Sequence, residues 1–178
     1  LTGTILTGAN LTYSNITGVD LSGKDLTGTI LVGVDMSDVD ITGTIFDNAD
    51  LSDVNLTVTA LIEDDISGKD LSYTNLTGAD LSGKDLSGTI LRGANLSNTN
   101  LTNVDLSGKD LSHTILTDVD LSDMDLTGTI LTGAELSGID ISNAILINVN
   151  LENVTLENAN LLNANLDSAN LSNADLRN

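Results

Sequence analysis

The stretch Leu81–Asn95 reads LSGKD LSGTI LRGAN when it is divided into groups of five, and this division shows the rule of the whole chain. In this register a leucine opens each group, a polar residue follows, and glycine stands third. The register extends through all 178 residues as 36 consecutive groups, here called pentads. The first position holds Leu 30 times and Ile four times, and all 16 glycines fall at the third position. Such a period specifies an architecture, but it says little about chemistry.

Composition limits the function classes that remain. The chain has no Cys, which excludes disulfides and thiol chemistry, and its formal net charge is −20. Such acidity argues against direct binding to nucleic acid or to an anionic membrane, while it permits cationic protein partners, metal ions or imitation of nucleic acid. No apolar run approaches the roughly 18 residues of a membrane span, so no membrane insertion is expected. No nucleophile–base pair, phosphate loop or zinc spacing is present, so we expect no enzyme.

The pattern within each pentad predicts a short side followed by a corner. Positions four, five and one alternate as inward, outward and inward, because position four is mostly small or β-branched, position five is mostly Asp or Asn, and position one is apolar. Position three holds Gly, Asn or Asp in most pentads, and these residues tolerate the positive φ that a type II turn requires. One pentad buries almost nothing by itself. Stability must therefore come from stacked coils.

The stretch Leu156–Asn178, LENAN LLNAN LDSAN LSNAD LRN, resembles the repeat of the pentapeptide-repeat proteins, whose consensus is commonly written A(D/N)LXX. The resemblance covers essentially all of residues 1–178 and implies one domain. The implied fold is all-β, a right-handed quadrilateral parallel β-helix with four pentads per coil and about nine coils. Residues 20 apart would then stack, and the expected core ladder is Leu6, Leu26, Phe46, Ile66, Leu86, Leu106, Leu126, Leu146 and Leu166.

One outward column of the implied rod is strongly acidic and is the candidate metal site. It contains Asp65, Asp85, Asp105 and Asp125, here called the acidic column, at a spacing of about 5 Å. Like charges at that distance repel, so either their pKa values rise, or water and salt screen them, or a hard cation such as calcium bridges them. A solvated acidic face is the simpler alternative. Side-chain amide ladders are expected in a neighbouring column at Asn55, Asn75 and Asn95.

Four lysines occupy the inward fourth position, each within an SGKD motif: Lys24, Lys69, Lys84 and Lys109. A buried ammonium is costly, so we expect each stem to cover apolar surface while its amine reaches the corner, towards the following aspartate. A covalent Lys–Asx crosslink and a docking role are the alternatives. Between Leu56 and Asp65 the pattern weakens: Val58 and Glu63 take the glycine place, and Asp64 falls at an inward position. We expect a bulge or distorted corner there.

The remaining unusual residues are interpreted as surface features. His113 replaces a corner glycine without any partner for a metal, and Tyr13 and Tyr73 occupy the same outward place, where a partner could contact them. Asn-x-Ser/Thr triplets follow automatically from the pentad pattern and are weak evidence for glycosylation.

These observations favour a non-catalytic structural or interaction rod. Leu1 and Leu176 are in register, with no polar cap around them, so we expect end-to-end self-association into a filament or inclusion in a larger surface or extracellular protein. The Ser/Thr/Asn-rich exterior favours an extracytoplasmic location. The resemblance implies one alternative, an acidic DNA mimic that binds DNA gyrase, although no stretch leaves the register to form the C-terminal dimerisation helix of such mimics. A calcium-stabilised acidic rod is a further alternative, and calcium is the only cofactor considered.

Overall fold

The chain forms a parallel β-helix in which each coil takes 20 residues. The computed structural model describes residues 4–46, 48–51, 53–56 and 65–177. Within these ranges the backbone contains no helix and no strand longer than an isolated bridge, and each bridge is parallel and joins residues 20 apart. A typical series runs from Asn75 to Asn95, from Asn95 to Ile115, and from Ile115 to Glu135. The predicted coil period is therefore confirmed, and each fifth-position residue lies on the side of a coil.

Corners lie between the bridges, at positions two and three of each pentad. The N–H of Ala94 donates to the carbonyl of Leu91 over 3.0 Å, which closes a four-residue turn. The third residue of that turn, Gly93, has φ of +69°, as a type II turn requires. The turn recurs in every pentad described in full, so that four corners and four sides make one coil.

The core runs along the axis and is made from the first and fourth positions. All members of the predicted core ladder are buried except Leu166, which is only partly buried beside the last coil. Most buried inward threonines satisfy their hydroxyl groups within this core by donating to the preceding coil, as Thr129 does to the carbonyl of Leu106 over 2.9 Å, whereas Thr114 donates to Leu111 in its own turn. An isolated buried hydroxyl would be costly, so this bond explains why threonine is accepted beside leucine.

Two backbone hydrogen bonds form the ladder between coils at a typical fifth position. The N–H of Ile115 donates to the carbonyl of Ala94, and the carbonyl of Ile115 accepts from the N–H of Leu96, over 3.0 and 2.8 Å. The predicted bulge between Leu56 and Asp65, with Asp64, lies almost entirely outside the described residues. No helix in the described ranges has the length and apolar character needed to cross a bilayer.

Candidate functional site

The outer faces are lined by carboxylates and amides that are fixed by their own backbone. Oδ1 of Asp20 accepts from the N–H of Ser22 over 2.8 Å and from its hydroxyl over 2.6 Å. Oδ1 of Asn10 accepts in the same way from the N–H and hydroxyl of Thr12. These are Asx-type turns, which use a short polar side chain to begin the corner. They explain why Asp or Asn precedes Ser or Thr by two residues so often, which sequence reasoning had treated only as a glycosylation triplet.

The same kind of bond lowers the pKa values of the carboxyl groups in the acidic column. Backbone N–H groups of Ser67, Ser87, Ser107 and Thr127 donate to Asp65, Asp85, Asp105 and Asp125, over 2.9, 2.8, 2.9 and 2.9 Å. Hydrogen bonds from these residues, first from the hydroxyl and then from the N–H, hold the pKa of all four carboxyl groups below its ordinary value. The neighbouring charge of Asp65 opposes this effect on the pKa of Asp85 without reversing it. Of the three alternatives for stacked carboxylates, a raised pKa is therefore not the one found, because each carboxylate has a local donor.

Two open cavities lie along this column. One has a volume of about 470 Å³ and is lined by the carboxylates of Asp105, Asp120, Asp123 and Asp125 and by Met124. The other has about 390 Å³ and lies between Asp85 and Asp105, with Lys84 and Lys109 in its wall. Asp105 therefore stands between two gaps in the surface of the rod.

The described residues do not arrange the acidic column as a metal cage. No group of three or more acidic, histidine or cysteine side chains within these ranges converges on a point where an ion could bind. Calcium prefers six to eight oxygen ligands, and Oδ1 of each of these aspartates already accepts hydrogen bonds. Calcium binding stays a prediction, which a melting experiment can test.

The inward lysines lie within the rod rather than on its corners. Lys69 is 9% exposed, and Lys24, Lys84 and Lys109 are partly buried. The amine of Lys109 donates to the carbonyl of Leu86 in the preceding coil. It takes the route used by inward threonines, whereas the expected route led outward to Asp110. A main-chain carbonyl of the preceding coil thus satisfies the ammonium of Lys109 in place of the following aspartate.

Side-chain amide bonds join successive coils, and one of them involves Asn55 of the expected column, whose Nδ2 donates to Oδ1 of Asp35 over 2.9 Å. The Nδ2 of Asn170 donates to Oδ1 of Asn150 in the preceding coil over 3.1 Å. Where the lower residue is an aspartate, the same bond forms from Asn100 to Asp80 over 3.0 Å. An asparagine that lies 20 residues after an aspartate or asparagine thus adds a side-chain hydrogen bond between successive coils.

The three ring-bearing corner residues lie in one corner column, and each covers a glycine. Tyr13, Tyr73 and His113 have φ between 54° and 61°, and they stand 20 residues before Gly33, Gly93 and Gly133. A Cβ built on Gly93 would lie 2.5 Å from Cδ1 and Cε1 of Tyr73, and one built on Gly133 would lie 2.7 Å from Nδ1 of His113. The tyrosines remain exposed, Tyr73 by 59%. Sequence reasoning identified these residues as exposed but missed the glycine beneath each ring, although the interval of 20 residues was a usable signal.

Several solved structures of pentapeptide-repeat proteins are similar to this chain. The pentapeptide-repeat protein HetL of the cyanobacterium Nostoc sp. strain PCC 7120, involved in heterocyst differentiation regulation, is 28% identical over 94% of this chain and 83% of that chain, with a TM-score of 0.41. The plasmid-mediated fluoroquinolone resistance protein QnrB1 is 18% identical over 96% of this chain and 90% of its own, with a TM-score of 0.39. Rfr23 of the cyanobacterium Cyanothece 51142 is 22% identical over 89% of this chain and 88% of its own, with a TM-score of 0.18. A search of curated proteins found no match.

The family model for pentapeptide repeats matches the sequence in 8 copies. The matched residues are 1–23, 25–57, 70–108, 110–143 and 144–178. They leave out Lys24, Lys109 and residues 58–69, which include Lys69 and the stretch where the pentad pattern weakens. Because the match extends over most of the sequence, this chain belongs to the pentapeptide-repeat family.

Proposed function

We propose that this chain is a non-catalytic interaction rod whose acidic sides bind a basic protein partner. The observation that carries the proposal is the fixing of outward carboxylates by their own Ser or Thr, as at Asp20, Asp105 and Asp125. A fixed charge loses less side-chain freedom when a partner binds, so part of the ordering cost of association is removed in advance. The net charge of −20 supports rapid association with a cationic partner.

An arginine-rich peptide tests this proposal directly. Titration calorimetry with an octa-arginine peptide should detect binding that weakens as salt rises, because charge pairs across the interface are screened. The variant Asp85→Asn/Asp105→Asn/Asp125→Asn removes three fixed charges from one side and should reduce affinity. A matched control, Asp20→Asn/Asp40→Asn/Asp140→Asn, removes three charges from another side. Equal losses would show that only net charge matters, and absence of binding to the native chain would contradict the proposal.

A DNA-binding enzyme is the second candidate partner, and it is favoured by the family resemblance together with the net charge. A rod that presents fixed negative charge along its length offers such an enzyme a surface like that of a duplex. The experiment is inhibition of supercoiling by DNA gyrase with the purified chain. Inhibition that is lost in Asp85→Asn/Asp105→Asn/Asp125→Asn would support mimicry, and no inhibition at a large excess of the chain would reject it.

End-to-end stacking of rods is a separate proposal about assembly. It is supported by the last described coil, where Leu166, Leu171 and Ala174 belong to the core but are only partly buried. A second copy could cover these side chains and continue the parallel ladder, as part of a surface or extracellular structure. Sedimentation velocity and negative-stain microscopy over a range of concentrations should show species larger than 18.4 kDa, and Leu171→Arg should abolish them. A single species of that mass at every concentration would refute the proposal.

A further inference from the structure

The ladder between coils is not uniform, and among the boundaries whose four sides are all described it is weakest between residues 85–104 and residues 105–124. Of the four sides at this boundary, only the one joining Asn95 to Ile115 has a β-bridge. The sides of Asp105, Asp110 and Asp120 have none to the coil below, all of these residues being among those described. At the boundary between residues 125–144 and 145–164, by contrast, all four sides are bridged.

The corner hydrogen bonds show the same one-sided pattern. Two corners flank the Ile115 side, and both are bonded across the boundary: Gly93 donates to the carbonyl of Ser112 over 2.9 Å, and Asn98 to that of Thr117 over 3.1 Å. The Asp105 side is bonded at the corner before it, where Gly83 donates to the carbonyl of Thr102 over 2.8 Å, but the next corner at Gly88 has no such bond in the described backbone, and neither has the corner at Asn103. Because the four sides follow one another around the coil, the Asp105 side is opposite the Ile115 side. The attachment is therefore on one side and the gap is on the other.

The gap coincides with the two cavities that meet at Asp105. The cavity of about 390 Å³ lies across this boundary, between Asp85 and Asp105, and the cavity of about 470 Å³ continues to Asp125. One side-chain tie crosses the boundary here, from the amine of Lys109 to the carbonyl of Leu86. A long flexible side chain thus bridges the side on which the backbone ladder is absent.

The fifth residue does not by itself decide whether a side is bridged, because Asp40 above Asp20 and Asp70 above Asp50 are both bridged; it decides whether a side-chain bond is added. Where an asparagine stands above an aspartate, its Nδ2 donates downward, from Asn100 to Asp80 over 3.0 Å and from Asn160 to Asp140 over 3.1 Å, and both sides are bridged. An aspartate above an aspartate has only acceptor atoms and adds like charge, as at Asp105 above Asp85. At Asp105 the missing backbone bridge is therefore not replaced by a side-chain bond from the upper residue.

We infer that the boundary between residues 85–104 and 105–124 is a hinge, which bends about the Ile115 side, opens on the Asp105 side and is held closed by Lys109. Local opening is expected where few backbone hydrogen bonds hold two units together, and coils of a solenoid interact only with their neighbours. The bend would let an acidic rod follow a curved partner surface without breaking its core.

Distance measurements between spin labels test the hinge, and the absence of cysteine makes labelling specific. The pair Ser87→Cys/Ile147→Cys lies on one corner column and spans the boundary, whereas Ser107→Cys/Asp167→Cys lies on the same column at the same separation and does not. We expect the first pair to give a distance distribution about twice as wide as the second, because only it reports the opening. A third pair, Ser97→Cys/Glu157→Cys, lies beside the Ile115 side, about which the rod bends. Its distance distribution should therefore stay as narrow as that of the second pair.

Two substitutions should move the first distribution in opposite directions. Lys109→Met removes the tie and should widen it, while Asp105→Asn supplies a donor towards Asp85 and should narrow it. Asp50→Asn is the control, since Asp50 already makes both ladder bonds, to Leu31 and Thr29. Equal widths for the two pairs on this column, together with no response to Asp105→Asn, would overturn the inference. If Lys109→Met fails to fold, the effect of Asp105→Asn on the width of the first distance distribution still tests the hinge.

Discussion

Replacing Gly93 by alanine should cost more stability than the same change at Gly83, and the difference measures the packing of Tyr73. Both glycines have positive φ, +69° and +65°, so each alanine carries a similar backbone penalty of about 1–2 kcal/mol. A Cβ at Gly83 meets nothing within 4 Å, whereas a Cβ at Gly93 would lie 2.5 Å from the ring of Tyr73. The ring must then leave the surface of the next coil.

The size of the difference follows from the area that the ring exposes when it moves. If about 40 Å² of apolar ring surface returns to water at about 25 cal/mol per Å², the loss is about 1 kcal/mol. We therefore expect Gly93→Ala to reduce the free energy of unfolding by about 1 kcal/mol more than Gly83→Ala does. Urea denaturation followed by far-UV circular dichroism gives both values, provided that the slope of the transition is unchanged.

A double-mutant cycle separates the ring contact from the backbone penalty. In a Tyr73→Asn background the ring is absent, and asparagine accepts the positive φ, as Asn98 does with φ of 57°. Gly93→Ala should then cost the same as Gly83→Ala, which corresponds to a coupling energy of about 1 kcal/mol with Tyr73. Equal losses at the two glycines in the native background, or zero coupling, would refute the reasoning.

Three further predictions concern the core, the acids and calcium. Thr129→Val removes the buried hydroxyl that donates to Leu106 and should lower the free energy of unfolding by about 1 kcal/mol in urea denaturation; no loss would show that the bond contributes nothing. The folded chain lowers the pKa of exposed aspartates such as Asp25, Asp85 and Asp125, chiefly by hydrogen bonds from Ser or Thr. The stability they contribute is thus complete above about pH 4 and is lost as pH falls through the folded pKa values, so the melting temperature should decline there; a constant melting temperature down to about pH 2 would contradict this. If calcium bridges the acidic column, millimolar calcium should raise the melting temperature and a chelator should reverse the rise, whereas magnesium or added salt acting equally would indicate screening alone.

Much of the fold could be read from the pentad pattern, because each pentad repeats the same local chemistry. Apolar residues at positions one and four predict the core, and Gly, Asn or Asp at position three predicts a corner with positive φ. The candidate surface was less predictable. The column of Asp65 to Asp125 follows from counting in steps of 20, but the direction of its pKa shifts does not, since it depends on donors such as Ser87 that turn back onto each carboxylate.

The sequence alone was enough for the inward and outward positions and for the acidic surface, since the pattern within each pentad separates apolar from polar positions, and the family resemblance supplied the coil of four pentads. Contacts between coils were decided by the tertiary structure. The ring of Tyr73 lies on Gly93, the amine of Lys109 reaches the carbonyl of Leu86, and the ladder is missing at Asp105 but present at Ile115. These features depend on which residues 20 apart meet. No single pentad contains that information, because it arises only when one coil is laid upon the next.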